Sequence, residues 1–318
     1  MTLLGYGEEI RRIRAGKYME FDMPSQASTC RVNTITAGSN AEWLTSFHES
    51  DHDWLFVPRS VLCVEVGVDI NTIPDDIHVY RMDTRVYPGH CMMVLERSAS
   101  ASFTFINYAL CSDEKWNIVL SSDLFLDEMS NLTSEGGVPL ERAGPALSRA
   151  GGTGINIDGV WVVRCHCPVI LQRWAQRPRL WPPQDVVDKV VSLGSVVTTV
   201  GFKGSINRYL EWRICFNMGE VELVNTLNIA QAKVFVILKM ILKEVLKPQN
   251  KEITSYVLKN VILWQAESNT PITFQERKLI HWFIDALETP RNAISSAQLP
   301  YYMIPERNLI AACGLQDE

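Results

Sequence analysis

The chain has 318 residues, 47% hydrophobic and 21% charged, enough for one large two-lobed domain or two ordinary ones with a real core. No apolar run approaches the roughly 20 residues needed to span a bilayer, and the opening MTLLGYGEEIRRIRAG carries charge too early for a secretion signal, so no membrane partner is expected. Net charge is −6 but unevenly spread: residues 1–170 hold 13 Lys/Arg against 22 Asp/Glu, and residues 171–260 hold 13 against 7.

In chain order, residues 3–20 set Leu3, Leu4, Ile10, Ile13 and Tyr18 among charged residues, which predicts an amphipathic helix with a basic outer face carrying Arg11, Arg12 and Arg14. From about 28 to 170 the texture is short β-prone runs split by turn residues: Cys30–Thr36, WLFVP (54–58), IHVYRM (77–82), MMVLER (92–97), FTFINYAL (103–110) and VWVVRC (160–165). A helix is expected around 121–131, where Leu124, Phe125, Glu128 and Met129 recur at helical spacing. The Gly/Pro/Ser-rich stretch 136–154 reads as loop with one short segment in it. Beyond about 168 helices dominate. Residues 228–247 place Val234, Ile237, Leu238, Ile241, Leu242 and Val245 on one stripe, and 252–267 and 273–288 repeat the pattern. The class is therefore α+β, with a mixed-sheet part over 1–170 and a helical part over 171–318.

Eight cysteines show no disulfide spacing, and without an export signal reduced thiols in a cytoplasmic protein are expected. Cys165-His166-Cys167 lacks the four ligands of structural zinc, and strand alternation turns His166 away from both thiols, so zinc is not expected and buried free thiols are.

Chemistry concentrates near the front. Gly38-Ser39 follows a β-prone run, and Asp51-His52-Asp53 leads into WLFVP. Residues i and i+2 of a strand share a side, so Asp51 and Asp53 present two carboxylates to one point, as a hard-cation site requires. Gly38 lets backbone approach a phosphate, and the Ser39 hydroxyl and nearby amides are donors. Taken alone, Asp-x-Asp also marks a solvated strand end or a cap. Asp158, at the head of IDGVWVVRC, is a third acid able to close such a site from a neighbouring strand. Two metals about 4 Å apart need about three carboxylates.

The ordered set GS-x(11)-D-x-D followed by a strand acid resembles the nucleotidyltransferase superfamily. GSNAEWLTSFHESDHDWLF, RAGPALSR, DGVWVVRCHCP, RPRLWPP, LEWRICF and ITSYVLKNVILW resemble the male-abnormal-21 and cGAS-like branch over residues 1 to 310. The resemblance implies a two-lobed nucleotidyltransferase fold with a mixed β-sheet front lobe, a helical-bundle back lobe and the first helix as a spine spanning both. It implies Mg²⁺ or Mn²⁺ (two ions) on Asp51, Asp53 and Asp158, with Asp158 also activating the acceptor hydroxyl, and a donor triphosphate on Gly38 and Ser39. Arg213 would meet the acceptor nucleotide, Lys239 the donor phosphates, and Ser255 and Tyr256 a phosphate and a base. The plain alternatives are an ion pair for Arg213, a solvated helix face for Lys239 and core packing for Tyr256.

ATP and GTP as substrates, a cyclic dinucleotide product read by a STING-type receptor in innate immunity, and double-stranded nucleic acid on Arg11, Arg12 and Arg14 complete the expectation. Rival readings are a catalytically silent scaffold of the same family and an RNA-tailing enzyme. Trp43 departs from the family, which usually has Gly after the Glu of the segment beginning GS; its indole is expected over the donor pocket or in a packed niche.

Overall fold

The computed structural model describes residues 9, 10, 13, 32–42, 52–100, 104–134, 141–150, 156–246 and 254–311. The expected first helix, with Arg11, Arg12 and Arg14, lies outside them except at residues 9, 10 and 13; so do Trp43 and Asp51. Two compact units result, one of residues 14–169 and 194–218, the other of residues 1–13, 170–193 and 219–318.

The first unit is built on strands. Its elements run β1 (Val32–Ala37), the short helix α1 (Gly38–Ala41), β2 (His52–Pro58), β3 (Val61–Val64), β4 (His78–Asp83) and β5 (His90–Arg97). Then come α2 (Thr104–Tyr108), β6 (Leu110–Ser112), β7 (Ile118–Leu120), α3 (Ser122–Thr133), β8 (Glu141–Ala143), β9 (Ala146–Ala150) and β10 (Asn156–His166). After α4 (Pro168–Ala175) and α5 (Gln184–Leu193) the chain returns for β11 (Ser195–Thr198) and β12 (Glu211–Cys215). The change of texture near 168 therefore does not end the sheet: residues 194–218 supply two further strands of it.

One strand organises this unit. The first half of β10 lies between parallel β2 and antiparallel β9, and its second half between antiparallel β11 and parallel β3. Beyond that point the order β10-β11-β12-β5-β4-β3 returns to β10, so six strands close into a ring. By register Cys63, Tyr80, Cys91, Val163 and Trp212 fall on one face of it, and all are fully buried. Cys165 and Cys167 are buried free thiols beside exposed His166, as alternation requires. The hydrogen bond with the Cys165 thiol, then burial, then the charge on Cys165 raise the Cys167 thiol far above its ordinary range, so it stays protonated.

Two local expectations are corrected. FTFINYAL has the aromatic and β-branched content of a strand, yet 104–108 is α2 and only Leu110 onward pairs. Ile106 and Ala109, three residues apart, are both fully buried, so the helical spacing of the burial overrides strand propensity. Within 136–154, expected as loop with one short segment, there are two strands: β8 and β9 form an antiparallel hairpin whose second strand joins β10. The expected helix at 121–131 is α3, capped by Ser121, whose Oγ accepts from the Leu124 amide at 3.3 Å.

The second unit is helical: α4, α5, α6 (Asn217–Thr226), α7 (Ile229–Ile241), α8 (Ser255–Ser268) and α9 (Leu279–Ser296). A capping box starts α7, with Asn228 Oδ1 accepting from the Gln231 amide and Gln231 Oε1 from the Asn228 amide, each at 2.9 Å. Buried Glu267 ties the unit together, accepting from Arg177 Nη2 and the Tyr302 hydroxyl at 2.7 Å each. No single described helix is long and apolar enough to cross a membrane.

Candidate active site

The site begins where β1 runs out. Ala37 stands opposite Asp53 of β2, and at Gly38 the chain turns with φ of 65° into α1. Only glycine adopts that angle without strain. Glycine is also demanded by space: a Cβ at residue 38 would lie 1.8 Å from Asp53 Oδ2. The Gly-Ser turn and the Asp53 carboxylate, fifteen positions apart, are thus packed against each other.

The registers extend this into a row. Asp53 opposes Asp158 on parallel β10, and Asp158 opposes Ser148 on antiparallel β9. Ser148, Asp158, Asp53 and Ala37 therefore lie side by side across four strands, about 4.8 Å apart and on one face. The Ser148 hydroxyl donates to Asp158 Oδ1 at 2.6 Å, leaving the other carboxylate oxygen for a second partner. Both aspartates are half-buried.

Below the row the same face is apolar. Ala37, Leu55, Val57, Val162 and Val196 form a buried cluster, with Ile35, Val160 and Cys215 packed against it. The opposite face carries Phe56 and Trp161, ring centroids 5.3 Å apart. Gly159 makes room there, since a Cβ at that position would come 2.5 Å from Phe56. One strand segment thus has its carboxylate and its packing surfaces fixed by alternation.

Two like charges in register are unfavourable by themselves, and a divalent cation between them removes that cost. The donors are hard oxygens, as Mg²⁺ or Mn²⁺ prefers. The residues present fit such an ion, although no group of three ligating side chains occurs among the described residues. Asp51, the third expected ligand, falls outside them.

Arg213 lies on β12 opposite Thr198, which opposes Val162. It shares the aspartates' face, two strands across and four residues along from Asp158, or about 10 Å and about 13 Å. The row itself does not include it.

In the helical unit Ser255 and Tyr256 open α8, Ser255 exposed and Tyr256 half-buried. The Tyr256 hydroxyl donates to Glu220 Oε1 at 3.2 Å, which also accepts from Tyr301 at 2.6 Å. Lys259 Nζ lies 2.7 Å from the other Glu220 oxygen and 5.2 Å from the Tyr256 ring centroid. Burial by itself pushes the Glu220 carboxyl up, but the Lys259 ammonium and the two tyrosine hydroxyls outweigh it and hold the carboxyl below its usual range. Lys239, on α7, sits over the Phe235 ring at 5.4 Å.

Ser148 and Glu220 are the residues that sequence reasoning missed. Ser148 lay in a stretch too rich in glycine to read as strand. Glu220 follows Arg213 by seven positions, and no motif marks a carboxylate whose meaning comes from burial.

Residues 230–317 match the family model for the Mab-21 protein HhH/H2TH-like domain. No curated protein matches the chain.

Proposed function

From the match of residues 230–317 to the Mab-21 domain family, which includes the cGAS-like nucleotidyltransferases, we propose that the chain is a metal-dependent nucleotidyltransferase joining ATP and GTP into a cyclic dinucleotide. The observation that carries the reading is the row Ser148–Asp158–Asp53 with Gly38 against Asp53. In this reading the sheet unit is the front lobe and the helical unit the back lobe of a two-lobed enzyme.

Divalent ions, when bound, neutralise triphosphate oxygens and acidify the acceptor hydroxyl. Asp53 and Asp158, with Asp51, hold them. Gly38 brings backbone close to the donor phosphates, and Ser39 donates to them. Asp158, its far oxygen fixed by Ser148, takes the proton of the acceptor ribose hydroxyl. The hydroxyl oxygen bonds to the α-phosphorus, the α–β bridging bond breaks, and pyrophosphate leaves. Arg213 and Lys239 supply positive charge to the phosphates, and Ser255 donates to one. Tyr256, held by Glu220, offers a ring face to a base. Repeating the step with the roles of the nucleotides exchanged closes the ring. A polyanion such as double-stranded nucleic acid on Arg11, Arg12 and Arg14 remains the proposed activator.

The test is incubation with labelled ATP and GTP and Mg²⁺ or Mn²⁺, with and without double-stranded nucleic acid, followed by product separation. A phosphatase-resistant product is expected; none under any condition returns the chain to the scaffold reading.

Gly38→Ala is expected to abolish product and to destabilise the protein by at least about 1–2 kcal/mol from the left-handed backbone alone. Displacement of the Asp53 carboxylate adds to that. Ser39→Ala should lose activity. Equal melting of wild type and Gly38→Ala in thermal denaturation would contradict the close approach.

A further inference from the structure

Three loops of the sheet unit meet away from the aspartate row: 84–89, 113–117 and 199–210. Tyr87 stacks on Phe202 with ring centroids 3.7 Å apart. Asn207 Nδ2 reaches Glu114 Oε1 at 3.5 Å, and the Tyr209 carbonyl accepts from the Ser121 and Ser122 hydroxyls at 2.8 and 3.0 Å. Buried Glu211 accepts from the Phe202 amide and the Ser205 hydroxyl, pinning the start of the third loop. The surface is built on fixed loops.

What it presents is unusual. Between β6 and β7 the chain makes a turn closed by the Trp116 amide donating to the Asp113 carbonyl, and Trp116 follows with φ of 65°. That left-handed position of a hairpin loop ordinarily takes glycine. Here it carries the largest side chain, 87% exposed. On the neighbouring loop Ile206 is 86% exposed, with Ile118 and Tyr209 about half exposed beside them. A strained backbone that holds an indole out in water has a use outside the fold.

The charge nearby runs against the net −6 of the chain. Lys115, Lys203 and Arg208 are exposed around the apolar tips. Of the acids, Asp83 is paired with Arg85 at 2.6 Å, and Asp113 is turned onto the Asn117 side chain and the Lys115 and Asn117 amides. Glu114 meets Asn207, and since Asp113 and Glu114 keep their charge the loops 113–117 and 199–210 carry three cations against two carboxylates. Two protruding apolar tips on separate loops fit a medium that flows around them better than a rigid pocket. Indole, aliphatic tip and cations together match an anionic lipid headgroup layer. We propose that the loops 113–117 and 199–210 form a peripheral docking surface for an anionic membrane, with Trp116 and Ile206 entering the interface. Such a contact needs no spanning helix and is independent of the nucleotidyl-transfer reading.

The experiment is co-sedimentation of the full chain with phosphatidylcholine vesicles with and without phosphatidylserine, beside Trp116→Gly and Ile206→Ser. Wild type should bind the phosphatidylserine vesicles, and each variant should bind about tenfold more weakly or worse. Because glycine suits the left-handed position, Trp116→Gly should melt no earlier than wild type, which separates lost docking from lost folding. Absence of vesicle binding, or binding unchanged in both variants, overturns the proposal. So does loss, in these variants, of self-association or single-stranded RNA binding while vesicle binding persists.

Discussion

Asp53→Asn and Asp158→Asn are each expected to lower nucleotidyl transfer by roughly a thousandfold, the equivalent of the several kcal/mol that a bound divalent ion contributes to the transition state. Each change keeps the side chain's size and its place in the row but removes half of the paired charge. Stability of Asp158→Asn should hold or rise slightly, because two carboxylates in register on neighbouring strands repel when no ion lies between them. Turnover with labelled nucleotides, read beside thermal melting with and without Mg²⁺, checks both halves. Mg²⁺ should raise the melting temperature of wild type and not of either variant. Wild-type turnover in Asp158→Asn would remove the row from the mechanism. Ser148→Ala should give a smaller loss, since Asp158 keeps its charge and loses one hydrogen bond of 2.6 Å.

The second large effect is expected at Glu220. Its carboxylate is buried between Lys259, Tyr256 and Tyr301, and Glu220→Gln removes the negative charge that faces the Lys259 ammonium, only 12% exposed. Breaking a buried pair from one side costs about 3–5 kcal/mol, which denaturant unfolding at neutral pH should show. The effect also has a pH signature. Lys259 and the two hydroxyls hold the carboxyl below its unfolded value of 4.5, so the stability it supplies is complete above that value. As pH falls through the depressed folded value, the native carboxylate takes up its proton and that stability is lost. The difference between wild type and Glu220→Gln should therefore be constant near neutrality and shrink on acidification. A difference that grows as pH falls would mean that the carboxyl is protonated in the native state at neutral pH. Release of the Tyr256 hydroxyl should also weaken nucleotide binding, with the base contact affected first.

Much of this molecule is legible in its sequence because the signals are local. The short β-prone runs Cys30–Thr36, WLFVP and VWVVRC mark β1, β2 and β10, which carry the aspartate row, and the 3.6-residue stripe after 228 marks α7. Strand periodicity likewise sends Cys165 and Cys167 inward and His166 outward. Gly38, Asp53 and Asp158 stand out as residue types that hydrophobic patterning does not ask for at the ends of strands.

Pairing is not local, and there the sequence falls silent. Nothing in residues 52–58 or 156–166 says that β2 and β10 lie parallel with Asp53 beside Asp158; a slip of one residue would send one carboxylate to the other face. The same applies to β9, whose glycine-rich surroundings read as loop until β10 supplies its hydrogen bonds, and to β11 and β12, which leave a helical stretch to complete the ring. In 103–110 the local preference for strand lost to burial of Ile106 and Ala109 on one helical side. The sequence by itself determined the α+β class, the helices beyond residue 218 and the acids Asp53 and Asp158 at the strand ends, since these follow from composition and periodicity along the chain. Only the tertiary structure decided which acid stands beside which, that Gly38 closes on Asp53, that Ser148 serves Asp158 and that Glu220 is buried with Tyr256. Each of those depends on register or burial between segments far apart in the chain, where free energy is set by partners rather than by neighbours.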